Sequence, residues 1–124
     1  MKSKFTEKLT TNGWSNVHDP ESLHLTTEDG NVIQNADAYL MNQIQPNFQA
    51  GLALFENESM IRLRVFNMPG DFNWLQIVYN SNLEALLDEI IAMQHELPNK
   101  SYFSLMSGTF KTDCQVSLLA WEQF

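Results

Sequence analysis

The alternation of apolar and charged residues in MIRLRVF, residues 60–66, constrains the fold of this chain more than any other feature. Apolar side chains at every second position alternate with Arg62 and Arg64, which is the two-residue period of a strand with one buried face. A helix would distribute the same residues around its axis, so the period favours a strand. We expect the apolar face to pack inward and both arginines to point to solvent.

Two further strand-length segments flank residues 60–66. AGLALF (50–55) precedes them across the polar ENES (56–59), which has the character of a hairpin turn. WLQIVY (74–79) follows Pro69 and the glycine after it, a pair that favours a tight turn because proline presets φ and glycine tolerates a positive φ. The three segments together predict an antiparallel meander.

Residues 80–98 carry the pattern of one amphipathic helix. Apolar residues recur at three- and four-residue spacing, at Leu83, Leu86, Leu87, Ile90, Met93 and Leu97. Ser81 and Glu84 have the spacing of a capping box, in which each side chain satisfies a backbone N–H of the first turn. Pro98 disfavours continuation of the helix because it lacks an N–H. We therefore predict a helix over about 82–97, capped by Ser81, whose apolar stripe packs on the sheet.

Weaker patterns indicate the remaining elements. Period and turn residues predict strands at 102–106 and 115–121, a hairpin of strands at 22–27 and 32–35, and a short helix at 36–44 capped by Asn35. No repeat or Pro/Gly/Ser-rich linker divides the chain, and 124 residues that are 44% hydrophobic suffice for one core. We predict a single α+β domain over 1–124, with an antiparallel sheet of about five or six strands and one main helix packed on one face.

The charge of the chain is negative and unevenly distributed. The 7 Lys and Arg residues against 15 Asp and Glu give a net charge of -8. Between Leu9 and Ile61 there is no Lys or Arg, whereas seven acidic residues occur, at Asp19, Glu21, Glu28, Asp29, Asp37, Glu56 and Glu58. A surface of one sign repels nucleic-acid phosphates and anionic lipid and raises the encounter rate with a basic partner. The same charge is also typical of proteins that need it only to stay dispersed.

On the predicted helix, Glu84, Asp88 and His95 form a rough column opposite the apolar stripe. Carboxylates and an imidazole are the residue types of a metal or acid/base site. Yet a metal centre needs three or more convergent ligands with a supporting shell, and a catalytic carboxylate needs partial burial to shift its pKa. We expect these three side chains to be exposed and functionally quiet.

Two other segments contain residues that could take part in chemistry. HDPESLH (18–24) combines two histidines with two carboxylates, but its spacing matches no zinc signature and its Asp-Pro pair favours a turn. Cys114 lies beside Asp113, whose charge raises the pKa of a neighbouring thiol and so disfavours a reactive thiolate. No nucleophile elbow, phosphate-binding loop or dinucleotide fingerprint occurs. We therefore predict no catalytic residue, no metal site and no cofactor.

As a whole, this small, acidic, motif-free chain resembles the immunity proteins that neutralise bacterial nuclease toxins, including those of contact-dependent growth inhibition systems. The resemblance implies a non-enzymatic inhibitor that covers the basic substrate cleft of its toxin, because an acidic surface complements such a cleft and accelerates association. No diagnostic motif carries a residue over from that family. The candidate contacts therefore come from the acidic half of the chain, at Glu28, Asp29, Asp37, Glu56 and Glu58.

Two alternatives remain open. The chain also resembles the small acidic chaperones of type III secretion, which bind partner chains as dimers, although the last segment, QVSLLAWEQF, is typical of a strand rather than a helix. The other alternative is an enzyme or ligand carrier whose site is assembled from scattered residues. No apolar run of about 18 residues and no signal-peptide pattern occurs, so we expect a soluble, cytoplasmic protein that binds neither membrane nor nucleic acid.

Overall fold

In the part of the chain that the structure describes, six strands pair in chain order to form one antiparallel sheet. The computed structural model describes residues 5–17, 33, 35–66, 74–80, 82–106 and 108–119. The strands are β1 (Ser15–Asn16), β2 (Ala38–Gln45), β3 (Phe48–Phe55), β4 (Met60–Phe66), β5 (Trp74–Tyr79) and β6 (Cys114–Leu119). The predicted α+β class is confirmed, and β3, β4 and β5 form the predicted meander.

Apart from the main helix, the helical segments of the described residues have three to six residues each. With the main helix included, they are α1 (Thr6–Thr10), α2 (Leu83–Met93), α3 (Tyr102–Met106) and the 3-10 segments Glu56–Glu58 and Gln94–Asn99. α2 is the main helix and lies in the connection between β5 and β6. In the part of the chain described here, no helix has the length and apolar character needed to cross a membrane.

α2 buries its apolar stripe against one face of the sheet. Leu86, Leu87 and Ile90 are fully buried, and they share one core cluster with Leu63 and Ile77 of the sheet. Burying one such side chain stabilises the fold by roughly 1.5–3 kcal/mol. The predicted packing of the helix on the sheet is therefore confirmed.

The opposite face of the sheet carries a second cluster of buried apolar residues. Its members are Ile33, Tyr39, Ala53, Phe55, Met60 and Trp74. On β4, Met60 belongs to this cluster whereas Ile61 and Leu63 belong to the core under α2, because successive residues of a strand point to opposite faces. Both faces of the sheet are consequently buried over its central strands.

Arg62 and Arg64 lie on this second face, so the prediction that both point to solvent was wrong. Arg64 is only 3% exposed, and its guanidinium carbon lies 5.7 Å from the centroid of the Trp74 ring. Arg62 is half-buried, lies 5.0 Å from the Phe55 ring centroid and donates from Nε to Gln76 Oε1 at 3.1 Å. Stacking on aromatic faces offsets part of the cost of removing a guanidinium from water.

Residues 38–45 form β2, so the prediction of a helix over 36–44 was wrong. Asn35 has a left-handed φ of 68°, whereas an N-cap residue has an extended backbone. Leu40 packs in the core under α2, and Tyr39 packs in the cluster on the opposite face. A strand that is buried on both faces has no alternation of apolar and polar residues, so its period does not distinguish it from a buried helix.

Residues 102–106 form α3, so the prediction of a strand there was also wrong. Ser101 Oγ accepts a hydrogen bond from Ser104 N at 3.1 Å, and Ser104 Oγ accepts one from Ser101 N at 3.0 Å. This reciprocal pair satisfies backbone donors at the start of a helix in the manner of a capping box. Five residues are too few for their period to distinguish a helix from a strand. The capping hydrogen bonds therefore favour the helix here.

The cap of α2 is Asn82 rather than the predicted Ser81, which lies outside the described residues. Asn82 has an extended backbone, and its Oδ1 accepts a hydrogen bond from Ala85 N at 3.2 Å. The α-helix ends at Met93, and the 3-10 segment that follows contains Pro98. Pro98 thus lies within the helical path instead of ending it.

Replacing Asn82 by alanine should lower the free energy of unfolding by about 1 kcal/mol, because one backbone donor of the first turn of α2 loses its partner. Urea denaturation of the wild type and the variant measures the difference. Asn80→Ala, at an exposed position two residues earlier, is the matched control and should leave the midpoint unchanged. Coincident curves for Asn82→Ala and the wild type would show that the side chain does not cap the helix.

Three predicted features fall wholly or partly outside the described residues. The turn at Pro69 lies outside, as do the last two residues of the strand predicted over 115–121, whose other residues belong to β6. The predicted hairpin at 22–35 also lies outside for most of its length. Ile33 is described, and it packs in the second apolar cluster.

Candidate functional site

The turn between β3 and β4 places two carboxylates at one end of the sheet. It consists of the 3-10 segment Glu56–Glu58 and of Ser59, whose left-handed φ of 52° turns the chain into β4. Glu56 is half-buried and Glu58 is exposed. The predicted turn over 56–59 is confirmed, and both acidic side chains lie within it.

Asp37 joins this turn from the residue before β2. Its Oδ2 accepts a hydrogen bond from Glu56 N at 2.7 Å, and its own backbone N donates to Leu54 O at 2.7 Å. Hydrogen bonds to a carboxylate are stronger than those between neutral groups, so Asp37 holds the turn in place. We call Asp37, Glu56 and Glu58 the acidic hairpin end. Since the half-buried Asp37 supports the turn, Glu58 and the outer part of Glu56 are its solvent-facing groups.

The acidic hairpin end affects the titration of its neighbours. Burial raises the pKa of the Tyr79 hydroxyl, and the charges of Glu56 and Asp37 raise it further. Burial lowers the pKa of Arg62, while the charge of Glu58 opposes that change. Arginine remains protonated in proteins, so three carboxylates and one guanidinium leave this end with a net charge of -2 (-3 + 1).

The structure brings together three of the five predicted contact residues. Asp37, Glu56 and Glu58 meet at the acidic hairpin end, although they are about twenty residues apart in sequence. Glu28 and Asp29 lie outside the described residues, as does the histidine-containing segment 18–24. Antiparallel pairing of β2 with β3 explains the meeting, because it brings the start of β2 beside the end of β3.

Glu84 and Asp88 lie on the exposed face of α2, where they pair with a lysine of α1. Lys8 Nζ is 2.6 Å from Asp88 Oδ1 and 3.6 Å from Glu84 Oε1. The hydrogen bond to Asp88 raises the pKa of Lys8 above its ordinary value. Exposed pairs of this kind contribute little stability. His95 is exposed as well, so the predicted exposure of the column is confirmed.

An open groove of about 650 Å³ lies beside this ion pair. Its lining residues are Phe5, Glu7, Lys8, Thr11, Asn12 and Glu84. Sites for small molecules bury most of the ligand surface between largely apolar walls. The groove is mainly polar and open to solvent, so it lacks the enclosure typical of such a site.

Glu89 of α2 fastens the helix to the segment that enters β6. Its Oε1 accepts a hydrogen bond from Lys111 N at 2.6 Å, and its Oε2 accepts one from Thr112 N at 2.9 Å and another from Thr112 Oγ1. Burial raises the pKa of this carboxyl, but the hydrogen bonds from Thr112 and Lys111 outweigh it, so the pKa lies below its ordinary value. The carboxylate form therefore stabilises the native contact.

Replacing Glu89 by glutamine should lower the free energy of unfolding by about 1–2 kcal/mol at neutral pH, because two backbone donors and a hydroxyl lose a charged acceptor. A carboxyl with a depressed folded-state pKa contributes stability above its unfolded pKa and loses it as the pH falls through the folded value. The difference in the free energy of unfolding between wild type and variant should therefore become smaller as the pH is lowered. Glu96→Gln, at an exposed carboxylate, is the control. If urea denaturation gave the same difference in the free energy of unfolding at neutral and at acidic pH, the Glu89 carboxylate would not be the stabilising group.

Cys114, the single cysteine of the chain, lies half-buried at the start of β6. Burial raises the pKa of its thiol, and the charges of Glu89 and Asp113 raise it further. The predicted effect of Asp113 is confirmed, although burial is the larger cause. A thiol with a raised pKa is mostly protonated at neutral pH and is a poor nucleophile.

Among the described residues, three buried polar side chains were not predicted from the sequence: Asn42, Arg64 and Gln94. Gln94 is 5% exposed; its Oε1 accepts from Trp14 Nε1 at 2.9 Å and its Nε2 donates to Asn12 O at 2.8 Å. No local pattern distinguishes Gln94 from the exposed polar residues beside it. Burial of Arg64 did have a signal, because Met60 lies on the same face of β4 and is apolar. When a strand face carries apolar residues beside its arginines, the pattern indicates that this face is at least partly covered by other residues.

The described residues contain no group of three or more His, Cys, Asp and Glu side chains placed to hold a metal ion. Comparisons with protein-family models, with curated proteins and with solved structures found no match.

Proposed function

We propose that this chain is a non-enzymatic binding protein that neutralises a basic nuclease toxin by covering the toxin's substrate cleft. The observation that carries the proposal is the acidic hairpin end, where Asp37, Glu56 and Glu58 are held together. A nuclease cleft must attract phosphates, so it presents positive charge that a cluster of carboxylates complements.

The construction of the acidic hairpin end favours binding. The Asp37 carboxylate caps the turn, so Glu56 and Glu58 are presented from a short turn fastened to β2. A preorganised turn loses less conformational entropy on association than a flexible loop does. Since the three carboxylates lie close together, their fields add and steer an approaching cation.

The overall charge supports the same partner. A net charge of -8 and the lack of Lys and Arg between Leu9 and Ile61 make the chain a poor ligand for nucleic acid and a good one for a basic protein. Steering of this kind raises the association rate, which suits an inhibitor that must bind its toxin before the toxin reaches nucleic acid.

The experiment uses the purified protein and a nuclease toxin encoded beside its gene. Cleavage of a labelled nucleic acid is followed as the protein is titrated against the toxin, and the mixture is then examined by size-exclusion chromatography. We expect inhibition that is complete at an equimolar ratio and a stable complex. An unrelated basic nuclease is the control and should not be inhibited.

Two results would contradict the proposal. One is the absence of both inhibition and complex with every neighbouring toxin. The other is turnover of a small molecule by the protein that is abolished by substitution of a single histidine, such as His95→Ala, because it would show that the chain is an enzyme.

A further inference from the structure

The two edges of the sheet are built differently. β1 and β6 lie at the edges, but β1 has two residues whereas β6 has six, with the uncharged, proline-free sequence CQVSLL. Short length, charged side chains and prolines are the features by which proteins keep an edge from pairing with another chain. In the described part of the chain no strand pairs with the outer side of β6. β6 therefore has the properties of a strand that accepts a neighbour.

The hydrogen bonds to β5 show which backbone groups of β6 point outward. Asn80 N donates to Asp113 O at 3.1 Å, so these opposite residues form a hydrogen-bonded pair. Along an antiparallel ladder, hydrogen-bonded pairs alternate with pairs that are not bonded. The next residue, Cys114, is therefore not bonded to β5, and the same holds for Val116 and Leu118. Their N–H and C=O groups point away from the sheet.

Exposed apolar side chains lie beside this edge. Among the described residues, the large hydrophobic side chains classed as exposed are Met106, at 37%, and Leu118, at 41%. They lie on α3 and β6, which contact each other. Outward-pointing backbone groups and exposed apolar side chains thus occur together at this edge.

We propose that β6 pairs antiparallel with β6 of a second copy of this chain, around a two-fold axis at Val116. In this register Val116 faces Val116 of the second copy, and Cys114 and Leu118 face each other across the axis. All three residues have outward-pointing backbone groups, as hydrogen-bonded pairs require, so the register gives about six hydrogen bonds between the copies. A shift by two residues in either direction would lose one of the three pairs.

Charge and symmetry favour a second copy as the occupant. β6 carries no charge, so two chains of net charge -8 can pair here without like charges in direct contact along the strand. A two-fold axis perpendicular to the sheet also keeps the α2 face of both copies on one side. Leu118 lies on that face, since it is opposite Leu75 of the core, and the second copy covers part of its exposed surface. The dimer does not depend on the proposed function.

The first test is the mass of the protein in solution, measured by light scattering after size-exclusion chromatography over the micromolar range. We expect twice 14.3 kDa for the wild type and 14.3 kDa for Leu118→Lys and Val116→Pro. Val116→Pro removes a donor that points outward, so the β5 pairing remains. Ala92→Lys, at an exposed position of α2, adds the same charge as Leu118→Lys and should stay dimeric. Circular dichroism checks that every variant is folded.

The second test concerns the register. In a Cys114→Ala background, Val116→Cys should form a disulfide-linked dimer with a copper–phenanthroline oxidant, because opposite residues of a hydrogen-bonded pair have Cα atoms about 5.5 Å apart, within disulfide range. Ala92→Cys in the same background should not crosslink. A monomeric wild type, or a dimer that survives both Leu118→Lys and Val116→Pro, would overturn the proposal. A wild-type dimer without crosslinking at 116 would overturn the axis at Val116.

Discussion

Replacing Ile90 by alanine should lower the free energy of unfolding by about 2–5 kcal/mol, the range expected when a large buried side chain is truncated and leaves a cavity. Ile90 is fully buried between α2 and the sheet, in one cluster with Leu63 and Ile77. Leu87→Ala should cost a similar amount, because Leu87 is also fully buried in that cluster.

The neighbouring residue supplies a matched control. Ile91 has the same side chain on the same helix but is only half-buried. Ile91→Ala removes the same atoms but takes away fewer buried contacts. The decrease in the free energy of unfolding, measured by urea denaturation, should therefore be clearly smaller for Ile91→Ala than for Ile90→Ala. Equal losses at the two positions would contradict the assignment of the core face of α2.

The strand β4 and the main helix could be predicted because one period dominates each of them. Residues 60–66 alternate, and residues 83–97 repeat at three and four, so each segment has one arrangement that buries its apolar side chains. Turn residues beside these segments also indicate where each element begins or ends. Where local pattern and long-range packing agree, the sequence is sufficient to assign the element.

The errors occur where the local pattern is weak. β2 is buried on both faces, since Tyr39 and Leu40 enter different clusters, and such a strand shows no alternation. The arginines of β4 look like a solvent face until the second cluster is known to cover it. Burial of that face depends on residues distant in sequence, and within β4 the apolar Met60 is the sign of it.

The acidic hairpin end could be predicted only in part. The turn residues at 56–59 indicated that Glu56 and Glu58 would be presented together, and the structure places them so. The part played by Asp37 could not be predicted, because it depends on the pairing of β2 with β3 and the segment around Asp37 was assigned to a helix. A correct strand assignment would have placed its carboxylate beside the turn.

Reversing both charges of the turn, the half-buried Glu56 and the exposed Glu58, by Glu56→Lys with Glu58→Lys should lower the association rate with the toxin about tenfold at low salt, because steering charges act mainly on that rate. The Asp37 side chain bonds to the backbone N of residue 56, so the turn should keep its structure. Glu7→Lys with Glu96→Lys is the control. Each pair of reversals changes the net charge from -8 to -4 (-8 + 4), and both control residues are exposed.

The association rate at low and at high salt, measured by stopped-flow with the purified nuclease toxin encoded beside the gene, tests the central claim most directly. We expect the wild type and the Glu7/Glu96 control to associate fast at low salt and to slow markedly as salt screens their charges. The Glu56/Glu58 variant should associate slowly at low salt and depend far less on salt. Equal rates and equal salt dependence for the two double variants would contradict the claim that the acidic hairpin end guides binding.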